Sequence, residues 1–155
     1  MTACRFILCE KTARWAAAFR TALGKSQPQI IETRSLPGCE EALAASPASF
    51  IAIEVTASSL DATLDFVRRI SSHYPNAALV ALVSSESLAA MPLLREAGAI
   101  DVAASVLDAP CVSRLAQRQH QLAPLEPLSP HQFLAERLPW PSHATNASHR
   151  ANQAT

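Results

Sequence analysis

Along the first 120 residues, short apolar runs alternate with stretches whose apolar positions recur every three or four residues. RFILC (5 to 9), QIIET (29 to 33), FIAIE (50 to 54), ALVALV (78 to 83) and IDVAASV (100 to 106) have strand length and β-branched content. The first, third and fourth are apolar almost throughout, as strands covered on both faces are. Between them, Trp15, Phe19 and Leu23 mark a first helix ending at Gly24, and Pro37 marks the start of a second with Glu40 and Glu41 in its first turn. Leu60, Leu64, Phe66, Val67 and Ile70 predict a third helix that stops before Pro75. A fourth runs to Gly98 and a fifth from about Pro110 to His120, with Val112 and Leu115 facing inward. Pro92 either opens the fourth helix late or kinks it, and the late start is the better reading because proline suits the first helical position. Five strand and helix pairs in strict alternation predict an α/β fold. It is a doubly wound five-stranded parallel sheet, because crossover helices must cover both of its faces.

The pattern ends near residue 121. Residues 122 to 155 carry five prolines between Pro124 and Pro141 and no strand pattern, so two regions are expected: a domain over 1 to 121 and a proline-rich tail over 122 to 155. Within the tail, Ser129 and Gln132 fit a capping box with Pro130 at the first helical position, and Pro139 stops the helix. The predicted helix, about 130 to 138, presents Phe133, Leu134 and Leu138, with Trp140 just beyond. So short a helix needs a surface to dock on, either its own domain, a sister subunit or another protein.

Composition narrows the function classes. Thirteen basic residues balance thirteen acidic ones, which argues against nucleic acid or an anionic membrane as partner. No apolar stretch approaches the length of a membrane span, and MTACRFILCEK lacks the features of a signal peptide, so a cytoplasmic location is expected. Cys4, Cys9, Cys39 and Cys111 form no CxxC pair, and neither they nor the five histidines have the spacing of a metal site. The cysteines are therefore expected to be reduced and mostly packing, Cys9 among them. With only three glycines no phosphate-cradling loop is available, so no metal and no cofactor are expected.

What stands out is acid at strand ends. Glu10 ends the first predicted strand and Glu54 the third, while Ser84 and Ser85 end the fourth. In open parallel sheets ligand chemistry gathers beyond the carboxyl ends of the strands. The order of elements, these strand-ending acids, the hydroxyl after the fourth strand and the stretch REAGAIDVAASVLDAP (95 to 110) resemble the receiver domain of bacterial response regulators over residues 4 to 120. That resemblance implies a flavodoxin-like sheet of order 2-1-3-4-5. It also implies a site where an acidic pair holds magnesium, an aspartate ending the third strand takes a phosphoryl group, and a hydroxyl and a lysine sense it.

Carried over residue by residue, the site is depleted. Glu10 falls on the acidic pair, but its companion position is Cys9 or Lys11. Glu54 takes the phosphoacceptor position and Ser84 the hydroxyl position, whereas Ser105 or Val106 stands where the lysine belongs. No Lys or Arg occurs between Arg95 and Arg114, so a shift of one or two residues does not restore it. Without metal and lysine, charge developing in phosphoryl transfer lacks its main stabilisers. Glu54 either ends its strand at the rim, reaching solvent or pairing with Lys11, or imitates a phosphorylated aspartate.

The expected function follows: a non-catalytic pseudo-receiver, not phosphorylated at the usual site, that acts as a protein interaction or dimerisation module in signal transduction. The alternative is an atypical receiver that takes phosphate or binds a small ligand at the strand ends. No paired nucleophile and base suggests an enzyme. The receiver resemblance places the expected homodimer contact on the face of the fourth and fifth helices, where Pro92 leaves Met91 or Leu93 uncovered.

Overall fold

Alternation of side chains along three strands, buried throughout except at Glu54, organises the molecule. The computed structural model describes residues 4–25 and 28–123. Its strands are β1 (Phe6–Cys9), β2 (Ile30–Thr33), β3 (Phe50–Val55), β4 (Ala78–Val83) and β5 (Asp101–Ala103), in one parallel sheet of order β2-β1-β3-β4-β5. The helices are α1 (Arg14–Leu23), α2 (Leu36–Ala44), α3 (Leu60–His73), α4 (Met91–Ala97) and α5 (Ala109–Leu122). Successive residues of a strand face opposite sides of a sheet. Phe6, Leu8, Phe50, Ala52, Val80 and Leu82 accordingly join Trp15, Phe19 and Leu23 of α1 and Val112 and Ala116 of α5 in one core. Ile7, Cys9, Ile51, Ile53, Leu79 and Ala81 join Cys39, Leu43, Phe66, Val67, Ile70 and Leu94 of α2, α3 and α4 in the other.

The first core is aromatic. Phe6 meets Phe19 and Phe50 edge-on, at ring-centroid separations of 4.9 and 5.2 Å, and Trp15 stacks on Phe19 at 5.7 Å. Such pairs add about 0.5–1.5 kcal/mol each beyond the area they bury.

Several local expectations change. The fifth strand ends at Ala103, because Ser105 and Asp108 close a capping box over a 3-10 turn at Val106–Asp108. Helix α2 begins at Leu36, where the Ser35 side chain accepts from the Gly38 N–H, so Glu40 and Glu41 lie in its second turn. There Glu40 receives Arg69 of α3 at 2.8 Å, and Arg69 also lies over the Phe66 ring. Pro92 occupies the second position of α4, which follows a 3-10 segment at Ser85–Ala90; the late start holds. Gly98 closes α4 at φ 124°, where a Cβ would overlap the Ser71 side chain. Only glycine accommodates both demands. The helix expected at 130 to 138, with Phe133, Leu134, Leu138 and Trp140, lies outside the described residues.

Candidate functional site at the carboxyl ends of the strands

Strand parity decides where each strand-end acid goes. Glu10 follows Leu8 onto the α1 side, and its carboxylate turns inward, 2% exposed. It accepts from the backbone N–H groups of Trp15 at 2.8 Å and Ala16 at 2.9 Å, the second and third residues of α1. Helix α1 has no cap from its own N-cap residue, Ala13, so Glu10 supplies one from the preceding strand end. A carboxylate there answers both the unpaired amides and the positive end of the helix dipole.

Glu54 follows Phe50 and Ala52 to the same side and meets the loop between β1 and α1. One carboxylate oxygen accepts from the Lys11 N–H at 2.7 Å and the Thr12 N–H at 3.4 Å; the other accepts from the Thr12 hydroxyl at 2.7 Å. The pairing expected with Lys11 is therefore made to its main chain. Arg34 braces the loop from outside, donating to the carbonyls of Glu10 and Lys11 at 3.4 and 3.2 Å. Between these ties Ala13 is held at φ 56°, ψ 19°, a left-handed conformation that disfavours a side chain by about 1–2 kcal/mol.

The remaining expected site residues are elsewhere. The pairing of β3 with β4 puts Glu54 opposite Leu82, with Ser84 two residues further on. The Ser84 hydroxyl reaches the Ser87 hydroxyl at 3.4 Å. Ser105 accepts from the Leu107 N–H, and the Asp108 carboxylate accepts from the N–H groups of Ala104 and Ser105 at 3.1 and 3.0 Å. A carboxylate thus stands in the turn between β5 and α5. Met91 is half-buried against the core, and Leu93 is 47% exposed.

The fit of a magnesium ion can be judged from these contacts. It wants hard oxygen ligands and at least one free carboxylate. Both oxygens of Glu10 are committed to α1 amides and both of Glu54 to the loop. These residues do not fit the ion.

Sequence reasoning passed over the other side of β1. Cys9, of opposite parity to Glu10, faces the other side of the sheet, in one core with Cys39 of α2. Hydrogen bonding with Cys39 lowers the Cys9 pKa to about 7, against burial, with further help from Thr33 and the Lys11 charge, while the Cys39 pKa is raised. Cys9 also lines an open cavity of about 330 Å³ bounded by Lys11, Arg34, Leu36, Glu54 and Ser59. The available signal was parity: position 9 faces away from position 10.

No family model matches the chain, and no curated protein matches it. Solved structures do. A CheY-like protein, TadZ, from Pseudomonas aeruginosa aligns with 75% of this chain and 98% of its own, at 19% identity and a TM-score of 0.63. A response regulator from Thermotoga maritima aligns with 77% of this chain and 98% of its own, at 14% identity and 0.65. An orphan response regulator of Helicobacter pylori aligns with 76% and 98%, at 19% and 0.60. The fold is that of the CheY-like response regulator receiver domain. Among the described residues no helix is long and apolar enough to cross a membrane.

Proposed function

We propose that this chain is a pseudo-receiver, a protein interaction module that works without phosphorylation. The observation that carries the reading is the engagement of both strand-end acids. Glu10 caps α1 and Glu54 holds the β1–α1 loop, so neither is presented for metal or phosphoryl chemistry. The missing cation after β5 supports it, since phosphoryl transfer rests on electrostatic stabilisation. A similar structure, 18% identical with a TM-score of 0.59, is described as an atypical orphan response regulator with a phosphorylation-independent regulatory mechanism. Glu54 serves as a fixed loop anchor, and the domain signals through contact surface. The direct test is incubation of the full chain with a small phosphodonor and magnesium, read by intact mass. No phosphorylated species is expected, and stoichiometric phosphorylation lost in Glu54→Gln would overturn the reading.

The contact surface lies in the C-terminal half of the domain. Leu88, Leu93, Ile100, Leu107 and Leu122, the exposed large apolar residues of the described chain, all fall between the start of the 3-10 segment before α4 and the end of α5. Covering such residues is what association does, and a second copy is the commonest partner. The module is thus read as a homodimer through this face. Sedimentation equilibrium should give a dimer that Leu93→Glu and Leu107→Glu together dissociate; a wild-type monomer at all micromolar concentrations would remove the dimer from the proposal.

A further inference from the structure

The cavity at the strand ends is bordered by a buried hydroxyl without a partner. Open parallel sheets take ligands in the crevice where neighbouring strands send their connections to opposite faces. Here β1 leads to α1 on one face and β3 leads to α3 on the other, so the crevice lies between them. The cavity of about 330 Å³ is there, bordered by Lys11 beyond β1, Leu36 and Pro37 of α2, and Ala62 and Thr63 of α3. Its volume is at the lower end of the range of about 300–1,000 Å³ that holds small molecules. Thr63 is 1% exposed, and among the described residues its side chain makes no hydrogen bond. Thr21 of α1 bonds to the Ala17 carbonyl one turn back at 2.9 Å, a recourse Thr63 does not take. Ser113 is the described residue whose unpartnered oxygen is sealed from solvent, so the Thr63 oxygen, which is not sealed, opens on the cavity. A buried polar group in this state calls for a partner.

The outer border of the cavity carries two cations. Arg34 is held there through one nitrogen, its Nη1 donating to the carbonyls of Glu10 and Lys11, and its Nη2 and Nε make no hydrogen bond among the described residues. The Lys11 ammonium has no carboxylate within ion-pair distance among them either. Glu10 and Glu54 also border the cavity, but their oxygens are already bonded to the α1 amides and to the loop. They reduce the positive field without occupying either cation.

We infer that this cavity binds a small monocarboxylic acid whose apolar body ends in a hydrogen-bonding group. The carboxylate lies between Lys11 and the free edge of the Arg34 guanidinium, which suits a planar anion. The apolar body lies against Leu36, Pro37 and Ala62, and the far group bonds to the Thr63 hydroxyl. Inorganic phosphate would answer the two cations but leave the apolar wall and Thr63 without contact. The site lies toward α2 and α3, whereas the carboxylates of Glu10 and Glu54 turn to the α1 side, so it stands whether or not the chain is ever phosphorylated.

The test titrates the full chain with 4-hydroxybenzoate, which has this form, and follows the backbone amide NMR signals. Saturable shifts confined to the amides around Lys11, Leu36 and Thr63 are expected, with a Kd on the order of 1 mM for so small a ligand. Thr63→Val keeps the shape and removes the hydroxyl. It should weaken 4-hydroxybenzoate by about three- to tenfold and leave benzoate, which lacks the far hydroxyl, unchanged. Lys11→Gln should weaken both acids by about two- to fivefold. Amide spectra matching wild type away from the cavity establish that both variants are folded. No saturation at about ten times the expected Kd, or shifts centred elsewhere, would overturn the proposal. Equal affinity of Thr63→Val and wild type for 4-hydroxybenzoate would overturn it as well. Binding of 4-hydroxybenzyl alcohol, which lacks the carboxylate, as tightly as the acid would overturn the assignment of an anion.

Discussion

Replacing Glu10 with Gln separates a structural cap from a residue that merely occupies the rim of a site. The substitution keeps size and shape but exchanges one oxygen for an NH2 group. That group would face the N–H of Trp15 or Ala16, donor against donor, at a position now spanned at 2.8 or 2.9 Å. One hydrogen bond to a charged acceptor is lost, the other becomes neutral, and one buried amide is left without a partner. A bond to a charged group contributes about 1.5–3 kcal/mol, against about 0.5–1.5 for a neutral one. Loss of the negative charge at the helix start adds about 0.3–1 kcal/mol. The sum is a destabilisation of about 3–5 kcal/mol, a large part of the roughly 5–15 kcal/mol that holds a domain folded. In urea, with a slope of about 1.5 kcal/mol/M, 3 kcal/mol moves the unfolding midpoint down by about 2 M. Measured by circular dichroism with magnesium absent throughout, the result is independent of any metal role. A solvated rim carboxylate would give at most about 1 kcal/mol. A midpoint within about 0.3 M of wild type would therefore refute the capping argument.

Three further outcomes are expected. Glu54→Gln should destabilise by about 1–2 kcal/mol, since a charged acceptor becomes a neutral one at the Lys11 and Thr12 contacts, and should speed amide hydrogen exchange at Lys11; unchanged exchange would show that the loop does not depend on it. Ala13→Gly should raise stability by up to about 1 kcal/mol in chemical denaturation by relieving the left-handed conformation, whereas Ala13→Val should lower it; the opposite order would mean that the loop is not strained. The reaction of Cys9 with a small methanethiosulfonate should speed up as pH rises and level off above pH 7, because the lowered pKa makes it thiolate there. In Cys39→Ala, which has no donor, the rise should continue toward pH 8.5, as for an ordinary thiol; an unshifted profile would show that Cys39 does not stabilise the thiolate.

The elements and their layering were legible because they are local. A strand apolar throughout, such as Ala78–Val83, can exist only with both faces covered, and Trp15, Phe19 and Leu23 recur at the pitch of a helix. Pro92 announced the late start of α4 for an equally local reason, its missing N–H. Boundaries set by side chains bonding to nearby backbone were missed: Ser35 starts α2 earlier than Pro37 suggests, and Ser105 with Asp108 cuts β5 short.

The candidate site divides along the same line. That Glu10, Glu54 and Ser84 come at strand ends, and that no basic residue lies between Arg95 and Arg114, can be read directly from the residues. Which groups those acids bond to could not be, because a carboxylate at a strand end has the same sequence signature whether it faces solvent, an ammonium or a backbone amide. The path of the β1–α1 loop decided it, bringing the Lys11 and Thr12 amides over Glu54 and the first turn of α1 onto Glu10. The meeting of Cys9 and Cys39 in one core belongs wholly to tertiary structure. Parity turns Cys9 toward the second face of the sheet, but only the seating of α2 on that face puts Cys39, 30 residues away, in the same core.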